Sequence, residues 1–258
     1  MNIKANKKLG QNFLTNKNVA FAEAAHGEDK IVLEIGPGKG ILTEELCNVA
    51  KQVIAVEKDD RLYNYLNSSL QRNNLTIINK DFFDCTDEEL NLNKLDILIA
   101  NIPYNLSSKV ISWLYLHKLE AVLCLQKEFV EHMLAVKGSK SYSKLSVMSF
   151  LSFKIIPIMK VSKKSFFPKP KIDSQVIYIK PKTNNISKED EKIISLIMQH
   201  KKKLLKNAIL DSKESLNIKI DDLNKLFLDN PSYNERVFKL SPEKILKITK
   251  ELAILIQK

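Results

Sequence analysis

Between Lys30 and Lys180 short β-rich apolar runs alternate with amphipathic helical stretches, and this alternation limits the possible folds more than any other feature of the chain. IVLEI (31–35) is a buried-strand run, followed by a Gly-rich turn and a helical stretch over 41–50. QVIAVE (52–57) is a second strand and 59–70 a second helix; LTIIN (75–79) and LDILIAN (95–101) give strands three and four. Helix 107–117, strand 120–125 and helix 126–136 continue the pattern. Such alternation requires crossover connections and therefore parallel pairing, so the expected fold is α/β, a Rossmann-like and mostly parallel sheet. The runs 150–161 and 174–180 have no long helix between them and predict an antiparallel hairpin at one edge. Beyond Pro181 the character changes. KTNNISKED is a polar hinge with Ser187 as a helix cap, and 188–211, 220–228 and 242–257 carry helical apolar spacing. The chain is thus expected to divide into a sheet domain, 1–180, and a small helical domain, 181–258.

The sheet's first turn carries chemistry. Glu34-Ile35-Gly36-Pro37-Gly38-Lys39-Gly40 closes strand one and opens a helix, where glycines let backbone N–H groups approach a ligand. The third glycine is displaced from the dinucleotide spacing, so the motif fits a nucleoside without a pyrophosphate better than it fits NAD. A tight turn with no ligand has the same look. Glu57 ends strand two, where a carboxylate can accept from both ribose hydroxyls, with Lys58 beside it. Asp81 follows strand three, positioned to accept from an adenine amine, and Phe82 is placed to pack on the ring. Singly, an Asp after a strand is a common turn residue. Together, acceptors and glycines at three consecutive strand ends mark the carboxyl edge at which open α/β sheets bind ligands.

Strand four ends in Asn101-Ile102-Pro103-Tyr104-Asn105. An exocyclic adenine amine is a weak nucleophile because its lone pair is delocalised into the ring. Two acceptors aimed at its N–H bonds, the Asn101 side-chain oxygen and the Ile102 carbonyl, favour tetrahedral nitrogen, with Pro103 stiffening the turn. Tyr104 is placed to stack on a base that has left its own stack. A second aromatic source is Ser165-Phe166-Phe167-Pro168-Lys169-Pro170-Lys171. There Phe166 would cover the other face of the adenine while Lys169 and Lys171 meet phosphates; a stiff solvated loop is the plainer account of that segment alone.

Charge points the same way. The net charge is +11, almost all from lysine, since the arginines are Arg61, Arg72 and Arg236 alone. An excess of this size attracts polyanions, although lysine-rich coding bias has the same composition. Lys201, Lys202, Lys203 and Lys206 follow His200 as a dense basic patch, and Lys7, Lys8, Lys140, Lys144, Lys163 and Lys164 extend the candidate track. Cys47, Cys85 and Cys124 lie far apart, which suits a reducing cytoplasm and excludes a cysteine-rich zinc site. The four histidines show no metal spacing, Glu128 and Glu131 read as surface charges, and Trp113, Met133 and Met148 as core. No apolar run is long enough for a membrane span or a signal peptide.

In this order the motifs KKLGQNFL (7–14), VLEIGPGKG (32–40), VIAVEKD (53–59), KDFF (80–83), NIPYNLSS (101–108), LQKEFVEHM (125–133) and FFPKPKIDS (166–174) resemble the ribosomal RNA adenine N6,N6-dimethyltransferase family. The resemblance implies an S-adenosylmethionine-dependent enzyme. It implies that Asn12 and Leu14, with Gln11 beside them, meet the cofactor from an N-terminal arm. It also assigns Gly36, Glu57 and Asp81 to the cofactor, in agreement with the reading of the strand ends, and sets Asn101 between cofactor and target amine with Tyr104 and Phe166 around the base. LQKE (125–128), YSKLSV (142–147), the basic helix HKKKLLKNAI (200–209) and NERVFKLSPEKI (234–245) are similar to the branch that dimethylates two adjacent adenosines near the 3′ end of small-subunit RNA. Ser143, Lys144 and Ile102 depart from that branch. The expected partner is ribosomal RNA in an immature small subunit, and the expected state a cytoplasmic monomer. Alternatives are a large-subunit enzyme of the erythromycin-resistance type, a non-catalytic RNA-binding assembly factor, and an adenine-N6 DNA methyltransferase, which the FFPKPKIDS loop and KKLGQNFL arm disfavour.

Overall fold

The computed structural model describes residues 3–184 and 186–256. The nine strands assigned among them are β1 (Phe13–Leu14), β2 (Ile31–Ile35), β3 (Gln52–Glu57), β4 (Leu75–Asn79), β5 (Ile97–Asn101), β6 (Glu120–Gln126), β7 (Phe153–Val161), β8 (Phe166–Phe167) and β9 (Ser174–Pro181). The first helices along the chain are α1 (Lys17–Ala24), α2 (Ile41–Val49), α3 (Asp60–Ser69), α4 (Ser107–His117) and α5 (Lys127–Met133). Then follow α6 (Lys144–Ser152), α7 (Lys188–Gln199), α8 (Leu205–Asp211), α9 (Lys213–Leu216), α10 (Ile220–Asp229) and α11 (Pro242–Ile256).

Seven strands form one sheet in the order β4-β3-β2-β5-β6-β9-β7. β2, β3, β4, β5 and β6 are parallel, and β9 runs antiparallel to β6. β7 and β9 form the edge hairpin that the missing helix predicted. The inner strands β2, β3, β5 and β6 are apolar on consecutive residues because both their faces are covered. Val32, Val53, Ile97, Ile99 and Val122 belong to one core with Val19, Ala20, Leu42 and Leu46 of α1 and α2. The alternating residues Leu33, Ile54, Leu98 and Leu123 are equally buried and project to the opposite face. A second small sheet pairs β1 with β8, Phe13 opposite Phe167 and Leu14 opposite Phe166; no run of alternating residues in the sequence signals so short a pairing.

The chain divides into two compact units, residues 1–127 with 155–181, and residues 128–154 with 182–258. This moves the expected boundary: 128–154 clusters with the C-terminal helices and not with the sheet. The cause is α6, which packs on α7 and α11 and buries Val147, Met148 and Leu151. Residues 150–152 are consequently the end of α6 and not the start of a strand. Ser187 caps α7 as expected, in a reciprocal box with Asp190. The predicted helix over 188–211 is broken, however. The backbone of 201–205 pairs with 235–238 instead: Leu205 N–H donates to Glu235, Val237 N–H to Lys203 and Phe238 N–H to Lys201. The basic stretch 200–209 is therefore a turn followed by α8, and the last residue of the predicted helix 242–257 lies outside the described residues.

Gly40 takes φ +82°, and a Cβ there would lie 2.6 Å from Leu66 Cδ2. Gly40→Ala should lower unfolding stability by about 1–3 kcal/mol, from left-handed strain plus the clash. A denaturation midpoint equal to wild type would contradict this account of the turn.

Candidate active site

Sheet topology opens the site. The order reverses between β2 and β5, because the chain winds outward from β2 through β3 to β4 and then crosses back to β5. At such a reversal the connections leave in opposite directions and a crevice forms at the strands' carboxyl ends. Here the ladder between β2 and β5 consists of Val32 opposite Ile97 and Leu33 opposite Leu98, while the strands run on to Ile35 and Asn101. Gly36 and Asn101 lie beyond that ladder, at the carboxyl ends of the two strands.

Two adjoining hollows occupy that edge and share Gln11, Gly36 and Pro103. The first, about 460 Å³, is bordered by Asn12, Gly38, Asn101, Ile102, Tyr104 and Phe166. The second, about 740 Å³, is bordered by Lys8, Glu57, Lys58, Asp81 and Phe82. The glycine turn, the two acidic strand ends and the Asn-Ile-Pro-Tyr turn are therefore continuous, as their spacing suggested.

Glu57 shapes the glycine turn. Its buried carboxylate accepts from Gly38 N–H at 3.1 Å and from Asp59 N–H at 2.9 Å, and burial pushes its pKa up. Gly38 has φ +61°, and a Cβ would come within 3.1 Å of the Phe13 ring. Asp81 accepts from Phe83 N–H and from Lys58 Nζ at 2.6 Å; the lysine holds its pKa down. Each carboxylate oxygen retains lone-pair capacity for a further donor. Phe82 is buried and packs edge-on against Phe83 and Trp113. Trp113 is only half-buried, a departure from the core role its type suggested, because it lies at this margin.

The N-terminal arm is fixed by polar bonds. Gln11 accepts from Asn6 N–H at 2.7 Å and donates to Asp59 Oδ2 at 2.9 Å. Asp59 is further clamped by Arg61, which with Gln11 holds its pKa down to about 2. Asn12 donates to Gly10 O and borders the first hollow. Leu14 does not border either hollow: its side chain packs in the core and its backbone pairs with Phe166, leaving Phe13 as the arm's apolar wall. Asp59 and Phe13 are not among the residues expected at the site, although an Asp two residues past a strand acceptor and just before a helix is a cap signal.

Asn101 ends β5 at the border of the first hollow. It stands opposite Cys124 in the β5–β6 ladder, and both border the cavity. Its Nδ2 donates to Glu23 Oε2 at 2.9 Å, and its Oδ1 is buried with no partner. A buried acceptor without a donor costs about 1–3 kcal/mol, which a ligand N–H would recover. Tyr104 is oriented by a 2.8 Å hydrogen bond between its hydroxyl and Ser174. Ile102 is 2% exposed and Pro103 half-buried. Glu23 was not anticipated, since nothing in the spacing of KNVAFAEA distinguishes it from a surface charge.

The basic residues separate on inspection. Lys7, Lys8, Lys164, Lys169 and Lys171 are exposed and Lys163 is half-buried. In the C-terminal unit Lys201 is a structural donor, with Nζ on Tyr142 O at 2.6 Å and Lys140 O at 3.2 Å, contrary to the phosphate role expected of it. Lys144 pairs with Glu191 and Lys203 with Asp211, both at side-chain positions open to water, while Lys202 is exposed and Lys206 half-buried. No group of three His, Cys, Asp or Glu residues with metal-holding geometry occurs among the described residues. No helix among them is long and apolar enough to cross a membrane.

Burial raises the carboxyls of Glu23 and Glu34 from 4.5 to about 8 each. A carboxyl whose folded pKa is raised contributes stability that is full below its unfolded pKa and lost as pH climbs to the folded one. The melting temperature should therefore fall between about pH 5 and 8, and replacing both with Gln should flatten that slope. A wild-type melting temperature constant across this window would refute the burial argument.

Residues 2–253 match the family profile described as ribosomal RNA adenine dimethylase. A relative from Thermococcus sibiricus, named probable ribosomal RNA small subunit methyltransferase A, is 36% identical over 96% of this chain and 92% of its own length. One of the same name from Methanopyrus kandleri is 36% identical over 95% and 91%. The crystal structure of a dimethyladenosine transferase from Plasmodium falciparum superposes with a TM-score of 0.78 at 29% identity, covering 94% of this chain and 98% of that one. The 23S rRNA methyltransferase ErmE, at 23% identity and a TM-score of 0.63, covers 94% of this chain and 100% of its own and shares the fold. With the glycine turn, the acidic strand ends and the Asn-Ile-Pro-Tyr turn gathered at one sheet edge, this chain belongs to the ribosomal RNA adenine dimethylase family of methyltransferases.

Proposed function

We propose that this protein methylates N6 of two adjacent adenosines near the 3′ end of small-subunit ribosomal RNA, using S-adenosylmethionine, within an immature small subunit. It acts as a cytoplasmic monomer in this reading. The observation that carries it is the buried, unpartnered Oδ1 of Asn101, on a residue bordering the same hollow as Tyr104 and Phe166. The small-subunit assignment is supported by the names of the relatives with 36% identity, whereas the likeness to ErmE concerns the fold alone.

The residues fit the cofactor by the chemistry of their donors and acceptors. Glu57 would accept from the ribose hydroxyls, and Asp81 from the adenine amine with Phe82 at the ring; Gly36, Gly38, Gln11 and Asn12 line the path between the hollows. Bound there, S-adenosylmethionine supplies an electrophilic methyl group. Asn101 Oδ1 and the Ile102 carbonyl accept from the two N–H bonds of the target amine, which favours tetrahedral nitrogen and exposes its lone pair. Pro103 keeps that carbonyl fixed. Tyr104 and Phe166 sandwich the extruded base and exclude water from the amine. Asn101, a neutral amide, cannot act as a base, so it acts by orientation and by stabilising positive charge on nitrogen, whose proton is lost late to solvent. A non-catalytic assembly role is disfavoured by the complete acceptor set.

Purified protein should transfer label from the cofactor to immature small subunits as N6,N6-dimethyladenosine, and leave large subunits and duplex DNA unlabelled. Label in large-subunit RNA alone would move the protein to the resistance type. Asn101→Ala should lower kcat by about 100-fold or more while cofactor affinity stays measurable, and near-normal turnover would remove the mechanism. Lys169 and Lys171 are exposed beside Phe166 and are assigned to RNA phosphates. Replacing both with Ala should reduce the slope of log affinity against log salt by about 0.7 per lysine, and an unchanged slope would free them of that role.

A further inference from the structure

Helix α1 carries a carboxyl that its surroundings do not explain. Glu23 is 1% exposed, on the face of α1 that also buries Val19, Ala20 and Ala24. An apolar side chain would fill this place without desolvating a carboxyl. The hydrogen bond recorded for its side chain runs from Asn101 Nδ2 to Oε2 at 2.9 Å, across 78 residues of sequence, and Oε1 is buried with no partner. Among the described residues no Lys or Arg forms an ion pair with it. A group so placed contributes little to the fold, and its contact is with the residue at the centre of the site.

We propose that Glu23 is a positioning residue, which holds the Asn101 amide with its nitrogen toward α1 and so leaves its oxygen free for the target amine. This rests on the function proposed above. A primary amide has two orientations of nearly equal shape, differing only in whether oxygen or NH₂ faces a given side. In the flipped orientation Asn101 Oδ1 would meet the acceptor oxygen Glu23 Oε2, lone pair against lone pair unless the carboxyl moved its proton onto that oxygen, and the NH₂ would face the substrate's own N–H donors. With Glu23 accepting from Nδ2, that flip loses a hydrogen bond at each end. The acceptor that the reaction needs is selected from the rear of the sheet, by a side chain that borders neither hollow.

The test measures kcat, KM for RNA and cofactor affinity, with melting temperature alongside, for wild type, Glu23→Met, Glu23→Gln and Asn101→Ala. Glu23→Met keeps the volume but removes the acceptor. It should lower kcat by about 10- to 100-fold, leave cofactor affinity within about twofold, and melt no lower than wild type, a combination that a purely structural role would not produce. Glu23→Gln retains an oxygen for Nδ2 and should recover at least about a third of wild-type kcat. A second pair tests the same point should the methionine variant not fold. Asn101→Asp sets two carboxyls together and should be impaired, and adding Glu23→Gln, which supplies a donor to the new carboxyl, should raise its kcat at least about fivefold. Glu23→Met turning over within twofold of wild type, while Asn101→Ala is inactive, would overturn the proposal and leave the site's reading intact. Equal loss in Glu23→Met and Glu23→Gln, or no recovery in the double variant, would also overturn it. Normal turnover in Asn101→Ala would instead bring down the underlying function.

Discussion

The short ladder between β2 and β5 is the constraint on which the site depends. Two paired positions hold these strands together, Val32 with Ile97 and Leu33 with Leu98, and beyond them the strands continue unpaired toward Gly36 and Asn101. Gly36 N–H continues the β2–β3 ladder to Val56 O, and the Gly38 N–H goes to the Glu57 carboxylate. The crevice is thus bounded by backbone already committed to the protein, which keeps its shape before any ligand arrives.

Rigidity on the open side comes from the N-terminal arm. Gln11 bridges Asn6 and Asp59, Asp59 in turn is clamped by Arg61, and β1 is tied to β8, which carries Phe166. The arm therefore links the glycine-turn side of the crevice with its aromatic side, and Phe13 lines the hollow while Leu14 anchors the strand in the core. Electrostatically the same region gathers Glu23, Glu34 and Glu57, whose burial favours their neutral forms. Cationic ligands reduce that penalty, since opposite charge favours ionised carboxyls.

Much of this was legible in the residues. Strands 31–35 and 52–57 and helix 107–117 fall where their apolar patterns put them, because the strands are buried on both faces and the helix along a stripe, and the part-buried edge strand 75–79 is also in its expected place. The acidic strand ends and the Asn-Ile-Pro-Tyr turn meet at one edge, as parallel strands require of residues that follow them. Patterns failed where partners are remote and short. Residues 150–152 read as strand but close α6, whose apolar side chains are claimed by α7 and α11. The basic run after His200 read as helix, yet its backbone bonds go to 235–238, and Lys201 spends its charge on carbonyls.

The sequence by itself determined the parallel sheet, the order of its turns and the chemical type of each group at the carboxyl edge. These depend on local periodicity and on residues next to strand ends, which no distant contact needs to arrange. Only the tertiary structure decided that Leu14 faces the core and Phe13 the hollow, and that Glu23 on α1 meets Asn101 on β5. A hydrogen bond spanning 78 residues leaves no trace in spacing, because it exists only once two separately formed elements have packed face to face.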